Sequence, residues 1–405
     1  MSTRTNLSVT REARRGVRGI RLGLMFAALC LALPCRADER VRIEAKVNGQ
    51  PVHLAFDTGF GGALMLWRGV TERLGLKIIL PPAEFRPAPG EIATAHSSPA
   101  TVEIMGRTFP DVQFAVFDPP NLSDNIDGLV GWPALSHNII ILRVTEHEVK
   151  SVDEVPPEVK QWTKLRVLND RKTLMLELPP SDESVANLVL VDTGFPDGVK
   201  LSADRWRAFR KTQAQQPATL NAYYALGAGV VVSEELWAHT LRLNGLILRD
   251  VPVMSSSTAD PSPVGAGYAA TVGLAALARL DLVIDGKQGV AYAHPREDPP
   301  HPYAHNRLGA VFVPPSEQSN DLAARVAANS PATVAGIRDG DVLLAIDQLD
   351  VTKWRTQPGI LPVTHFWTQP AGTQLVLTLR RGSATIKKAA VLADILSPAI
   401  ATGSR

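Results

Sequence analysis

The tetrapeptide Asp-Thr-Gly-Phe occurs twice, as Asp57–Phe60 and Asp192–Phe195, each time after an apolar run. One copy alone reads most simply as a turn after a strand. Two copies in matching contexts point to a pair of carboxyls brought together. Like-charged carboxylates about 3 Å apart cannot both ionise, so they share a proton and titrate as a coupled pair. The ionised member can take a proton from a water held between them. The protonated member can donate to a carbonyl oxygen as that water adds. Gly59 and Gly194 permit the tight turn that presents each carboxylate. The hydroxyls of Thr58 and Thr193 can hydrogen-bond across a symmetry axis and lock the two loops.

The elements around these residues are duplicated as well. "VRIEAKVNGQPVHLAFDTG" alternates apolar and polar residues about Asn48-Gly49, a hairpin signature. "KTLMLELPPSDESVANLVLVDTG" repeats the plan of strand, turn, strand and Asp-Thr-Gly. Further on, "TVEIMGRTFPDVQFAVF" matches "TLRLNGLILRDVPVM", and "IDGLVGWPALSHNIIILRV" matches "ATVGLAALARLDLVIDGKQGVAY". Each Asp-Thr-Gly precedes its apolar-Gly element by roughly 75 to 80 residues, within the size of a small domain. The pattern predicts an internally duplicated, mainly β unit.

Two Asp-Thr-Gly loops, each followed by an apolar-apolar-Gly element ("GLVGW", "ATVGL"), resemble the retropepsin and pepsin clan of aspartic peptidases. The resemblance covers roughly Val41 to Pro295. It implies two β-barrel lobes in a single-chain pseudo-dimer, with Asp57 and Asp192 as the catalytic dyad and Thr58, Gly59, Thr193 and Gly194 as the supporting loops. It also implies a polypeptide substrate, aspartic endopeptidase activity, and neither cofactor nor metal. Flap hairpins are expected within Pro87 to Thr101 and Tyr223 to Val232, with Gly227 and Gly229 giving a mobile tip. Tyr223 and Tyr224 read equally as substrate contacts or as packing. Family members usually carry Ala, Ser or Thr after the motif, where this chain has Phe60 and Phe195. Without a hydroxyl there, one hydrogen bond favouring the ionised carboxylate is absent, which implies a working pH nearer neutral.

A third unit begins near Leu308. "LGAVF" and "SPATVAGIRDGDVLLAIDQLDV" resemble a bacterial PDZ domain. Such a domain adds an extended peptide as a strand and holds its terminal carboxylate in backbone N–H groups. By resemblance, Leu308, Gly309 and Ala310 supply that nest, and Val311 and Phe312 the adjoining strand, for a peptide ligand. Leu-Gly-Ala departs from the usual Gly-aliphatic-Gly-aromatic loop, which bears against strict C-terminal recognition. Between the lobes and this unit lies "AHPREDPPHPYAHNR", which reads as a solvated linker that lets the third unit move as a tethered module. The spacing of His294, His301 and His305 fits no standard metal site.

The N-terminus reads as a secretory signal. An arginine-rich start leads into an apolar run, Leu22 to Leu33, then Cys35-Arg36-Ala37. An uncleaved anchor is the alternative, and Arg14-Arg15 weakly resembles a twin-arginine signal. A periplasmic or secreted location follows, with no integral membrane span once the signal is cleaved. Both cysteines, Cys30 and Cys35, lie in this segment, so the mature chain has no disulfide and no thiol nucleophile. Loss of residues 1–37 removes seven Arg and one Glu. The full chain's 42 basic and 40 acidic residues become 35 and 39, moving the net charge from +2 to −4. That balance gives no electrostatic argument for nucleic-acid binding.

The expected division is therefore a signal at 1–37, a first lobe at 38–160, a second at 161–294, a Pro/His-rich linker at 295–306 and a PDZ domain at 307–396. Neither Gly-x-Ser-x-Gly nor His-Glu-x-x-His occurs, which favours the carboxylate chemistry. The competing reading is a catalytically inactive periplasmic peptide-binding or assembly module that keeps the Asp loops as structure.

Overall fold

The computed structural model describes residues 40–81, 95–117, 126–179, 187–225, 229–256, 268–297, 303–316, 318–357, 360 and 363–396. Within them the protein is mainly β, with one nine-stranded, one twelve-stranded and one six-stranded sheet.

The first hairpin joins strands Arg42–Val47 and Gln50–Asp57. Both turn residues take positive φ, Asn48 at 49° and Gly49 at 79°. That suits a two-residue turn whose twist matches the strands. Alternation sends Ile43, Ala45, Val47, Val52, Leu54 and Phe56 into the core. Strand Gln50–Asp57 then runs parallel to Gly128–Gly131, placing Asp57 opposite Gly131. Strand Leu64–Trp67 packs antiparallel on the far side of Gly128–Gly131.

The second half repeats this arrangement. Strand Leu188–Val191 runs parallel to Tyr268–Val272, with Val191 opposite Val272. Strand Val199–Leu201 pairs antiparallel with the same segment. The duplication extends to single dihedrals: Met105-Gly106 and Asn244-Gly245 turn with positive φ, and Asp111 (54°) and Asp250 (49°) share a further left-handed position downstream.

The halves are joined through their closing hairpins. Strand Ile139–Arg143 pairs antiparallel with Leu280–Asp285, so strands from both halves share the twelve-stranded sheet. Gly286 fits tightly here, because a Cβ would lie 2.0 Å from Ser136 O. One buried cluster, from Val41 to Ala293, runs through both halves.

The third unit has its own core, from Leu308 through Trp367 to Leu392. Its strands follow the order Ala310–Val313, Leu322–Val326, Val342–Ile346, Gln374–Arg381, Ala384–Val391, with Leu349–Asp350 pairing Val342–Ile346. Two short helices, Pro331–Val334 and Thr364–Trp367, complete it. Ser330 caps the first by accepting Thr333 N–H, and Pro331 occupies the opening turn, where its missing N–H costs nothing.

The stretch read as a solvated linker departs from that expectation where it is described. Arg296 is held by Glu146 and Asp281. Tyr303 and Asn306 bond to residues of the second half. His305 is buried, 6 % exposed, with Nδ1 on Tyr303 O and Nε2 accepting Leu396 N–H. Its composition is that of a linker, but His and Tyr carry enough apolar ring to pack when neighbours satisfy their polar atoms. His294 stays exposed, its ring 5.4 Å from that of Trp162, and His301 lies outside the described residues.

Candidate active site

Each Asp loop begins where a strand ends. The Asp57 carboxyl accepts N–H groups from Gly59 (3.0 Å) and Phe60 (2.9 Å), and Asp192 accepts from Gly194 (2.9 Å). These contacts aim both carboxyls to one place, where each bears on the other's ionisation. The glycines make the approach possible. A Cβ on Gly59 would stand 2.5 Å from the Asp192 carboxyl carbon, and one on Gly194 2.4 Å from an Asp57 oxygen. Each loop therefore presents its glycine to the other loop's acid.

The threonines lock the pair from below. Thr193 Oγ1 donates to Phe56 O (2.6 Å) and accepts Thr58 N–H (3.0 Å). Thr58 Oγ1 donates to Val191 O (2.7 Å) and accepts Thr193 N–H (3.0 Å). Both threonines are buried. Four reciprocal hydrogen bonds in a dry setting fix the loops with little freedom.

Burial is the largest influence on the acids. It raises Asp57 to about 7, helped by the Asp192 charge and opposed by Arg40 and the N–H groups of Phe60 and Gly59. Burial also raises Asp192, opposed by Gly194 N–H, Lys200, Phe195 N–H and the hydrogen bond from Asp57. Such a pair retains one proton well above the ordinary carboxylate range. Among the described residues no group of three or more His, Cys, Asp or Glu is placed to hold a metal ion.

The aspartyl protease family model matches residues 43–134, a span holding Asp57, Thr58, Gly59 and the facing Gly131. No curated protein matches the chain. Among solved structures, the crystal structure of aspartic proteinase from Irpex lacteus is similar at 12 % identity and a TM-score of 0.39. The match covers 64 % of this chain and 95 % of that one.

The two later glycines hold the loops from behind. A Cβ on Gly131 would meet Gly62 O at 1.9 Å and Phe60 O at 2.6 Å. One on Gly273 would meet Asp197 O at 2.5 Å and Phe195 O at 2.6 Å. Phe60 turns its ring into an apolar cluster with Ala55, Met65, Trp67 and Phe117, which explains an aromatic residue where a hydroxyl is usual. Phe195 lies beneath Lys200, whose Nζ sits 5.4 Å from the ring centroid.

Arg40 and Lys200 were not singled out in the sequence, although both are buried and bear on the dyad. A signal existed for Lys200: counted from each Asp, it occupies the place held by Met65 in the first copy. Arg40 has no counterpart pattern.

The stretch read as a second flap lies in an antiparallel hairpin, Thr219–Ala225 with Gly229–Leu243; its tip, including Gly227, lies outside the described residues. The first expected flap falls partly on 82–94, also outside them, and its described remainder holds strands Ala95–Ser97 and Ala100–Ile104.

In the third unit Leu308, Ala310, Val311 and Phe312 are buried, and Gly309 has φ +70°. Two of the N–H groups read as a carboxylate nest are bonded within the chain. Asn306 Oδ1 accepts the N–H groups of Leu308 (3.0 Å) and Gly309 (3.1 Å). Asn306 Nδ2 donates to Ala310 O and to Leu220 O, each at 2.9 Å.

Proposed function

We propose that the protein is an aspartic endopeptidase in which Asp57 and Asp192 are the catalytic pair. The observation that carries this reading is the convergence of two half-buried carboxyls on cross-locked Asp-Thr-Gly loops. The ionised carboxylate accepts a proton from the attacking water. Its partner donates to the scissile carbonyl oxygen as the tetrahedral intermediate forms, and proton return to the amine nitrogen releases the products. The chain supplies both loops, so one molecule holds a complete site as a pseudo-dimer of two lobes. Thr58, Gly59, Thr193 and Gly194 hold the acids in place.

The third unit is proposed as PDZ-like, contacting extended peptide segments of substrates or partners through the Ala310–Val313 strand. A terminal carboxylate reaches its nest only by displacing Asn306 Oδ1. Residues 1–39 lie outside the described residues, and export to the periplasm or beyond is proposed from their sequence.

The test is hydrolysis of a denatured protein by the mature chain. Asp57→Asn and Asp192→Asn are each expected to lower turnover by about a hundred- to ten-thousandfold, the range of general acid–base contributions. Thermal unfolding should be unchanged or slightly later, because one of two crowded acids is neutralised. Near-normal turnover in either variant would place the chemistry elsewhere. A folded, inactive wild type would favour the peptide-binding module.

A further inference from the structure

Behind the second Asp loop lies a cluster of polar side chains with no counterpart in the first among the described residues. Asp197 stands five residues after Asp192, where the first copy has Gly62. Its Oδ2 accepts Asn221 Nδ2–H (2.9 Å), and its Oδ1 lies 3.2 Å from Tyr303 Oη. The same phenol lies 2.7 Å from Glu235 Oε1. Glu235 is 2 % exposed. Three separate segments thus meet at one phenol: the turn after Asp192, the hairpin carrying Asn221 and Glu235, and the segment leading into the third unit.

We propose that Tyr303 is a positioning residue for the second carboxylate loop, holding Asp197 to Glu235 so that the placement of Asp192 depends on the segment that joins the third unit.

A phenol has one proton to give, and here it faces two carboxyls. Both contacts are hydrogen bonds only when one carboxyl is protonated and donates to the phenol oxygen. Asn221 favours charge on Asp197 by donating to it. Glu235 is then the acid that keeps its proton, in keeping with burial, the Asp197 charge and a pKa raised to about 8. The chain of donors runs from Glu235 to Tyr303 to Asp197.

The backbone of Asp197 transmits this order to the dyad. Asp197 O accepts Ala275 N–H (3.1 Å) and sits against Gly273, while Phe195 O accepts Leu274 N–H (2.7 Å). The turn carrying Asp192 is thus seated on the start of helix Leu274–Leu277 at one end and tied by Tyr303 at the other. The other ionisable groups beside the phenol are Arg279, bonded to Asp250 O and Ala275 O, and His305, whose ring stacks on Tyr303 at 6.5 Å. Neither donates to the two carboxyls in place of Tyr303.

The proposal rests on the catalytic reading of Asp57 and Asp192. The experiment uses the full mature chain. Tyr303→Phe keeps the ring and removes the hydroxyl. Its kcat on a short peptide is expected to fall about tenfold with KM nearly unchanged, because misplacing a reacting group costs turnover rather than ground-state contact. Glu235→Gln, which can still donate to the phenol, should keep turnover within about twofold of wild type. Carbon-13 NMR titration of the aspartate carboxyls reads the pair whether or not peptides are cleaved. In Tyr303→Phe the dyad's apparent pKa values should move by about half a unit or more. Wild-type kcat together with an unmoved titration in Tyr303→Phe overturns the proposal. So does an equal fall in kcat for Tyr303→Phe and Glu235→Gln with no movement of the dyad titration, which would mean general loosening of the lobe. A wild type inactive on peptides counts against the catalytic reading, and the titration still decides whether Tyr303 positions Asp192.

Discussion

Asp57 and Asp192 differ more than their shared motif implies. Asp57 has Arg40 nearby, whereas Asp192 has Lys200, and each accepts N–H groups of its own loop. The cations favour ionisation and burial opposes it, and burial prevails, leaving Asp57 near 7. A rate profile should therefore show kcat/KM holding through weakly acid pH and falling above about pH 7, when the pair loses its last proton. Removing Lys200 takes away an opposite charge, which raises the acid it served. Lys200→Met, the residue of the matching place in the first copy, should move the acid limb of the profile upward by about one pH unit. An unmoved acid limb would mean that the Lys200 charge is screened from the pair.

At the scale of elements, the hairpin from Thr219 to Leu243 buries Glu235 as a neutral acid. Its folded pKa, about 8, exceeds the ordinary 4.5, so the folded state holds a proton that the unfolded chain has released. Its contribution to stability is whole below pH 4.5 and is lost as pH rises toward 8. Asp57 adds a contribution of the same sign between 3.8 and about 7. Melting temperature should thus decline by a few degrees between about pH 5 and 8, and Glu235→Gln should flatten the upper part of that decline. An unchanged slope in the variant would place the titration elsewhere.

The same elements show what the sequence made legible. The strands before Asp57 and Asp192 were readable because alternation and Asn48-Gly49 are local signals, and the repeat reinforced them. Gly131 and Gly273 stood out because the motif recurs. The clamp at Tyr303 was not readable: it joins residues 68 and 106 positions apart, and no periodicity marks such a pairing. Composition misled at His305, since a run of Pro and His reads the same whether it floats or docks.

For the whole molecule, the joint between the second half and the third unit matters most. Thr219–Ala225 ends the order of one sheet and Ala310–Val313 ends that of another, and these terminal strands lie against each other. Thr219 Oγ1 donates to Asn306 O (2.6 Å), and Asn306 binds both strands. This contact brings the second half against the strand proposed to receive a peptide. It also bears on ligand capture. In a fluorescence-polarisation assay the wild type should bind free-acid and C-terminally amidated peptides about equally. Asn306→Ala frees the two N–H groups and should prefer the free acid by about tenfold. A strong free-acid preference in the wild type would show that a ligand displaces Asn306 readily.

Both Asp loops lie in one chain. A site made by two identical subunits has a true twofold axis, so a peptide can lie across it in either direction at equal energy. Here the halves have diverged around the axis: Lys200 answers Met65, Asp197 answers Gly62, and Tyr303 supports one loop alone. The two orientations of a bound chain are no longer degenerate. Under the proposed activity such a site has a reading direction, with one loop assigned to the amino-terminal side of the cut and the other to the carboxy-terminal side.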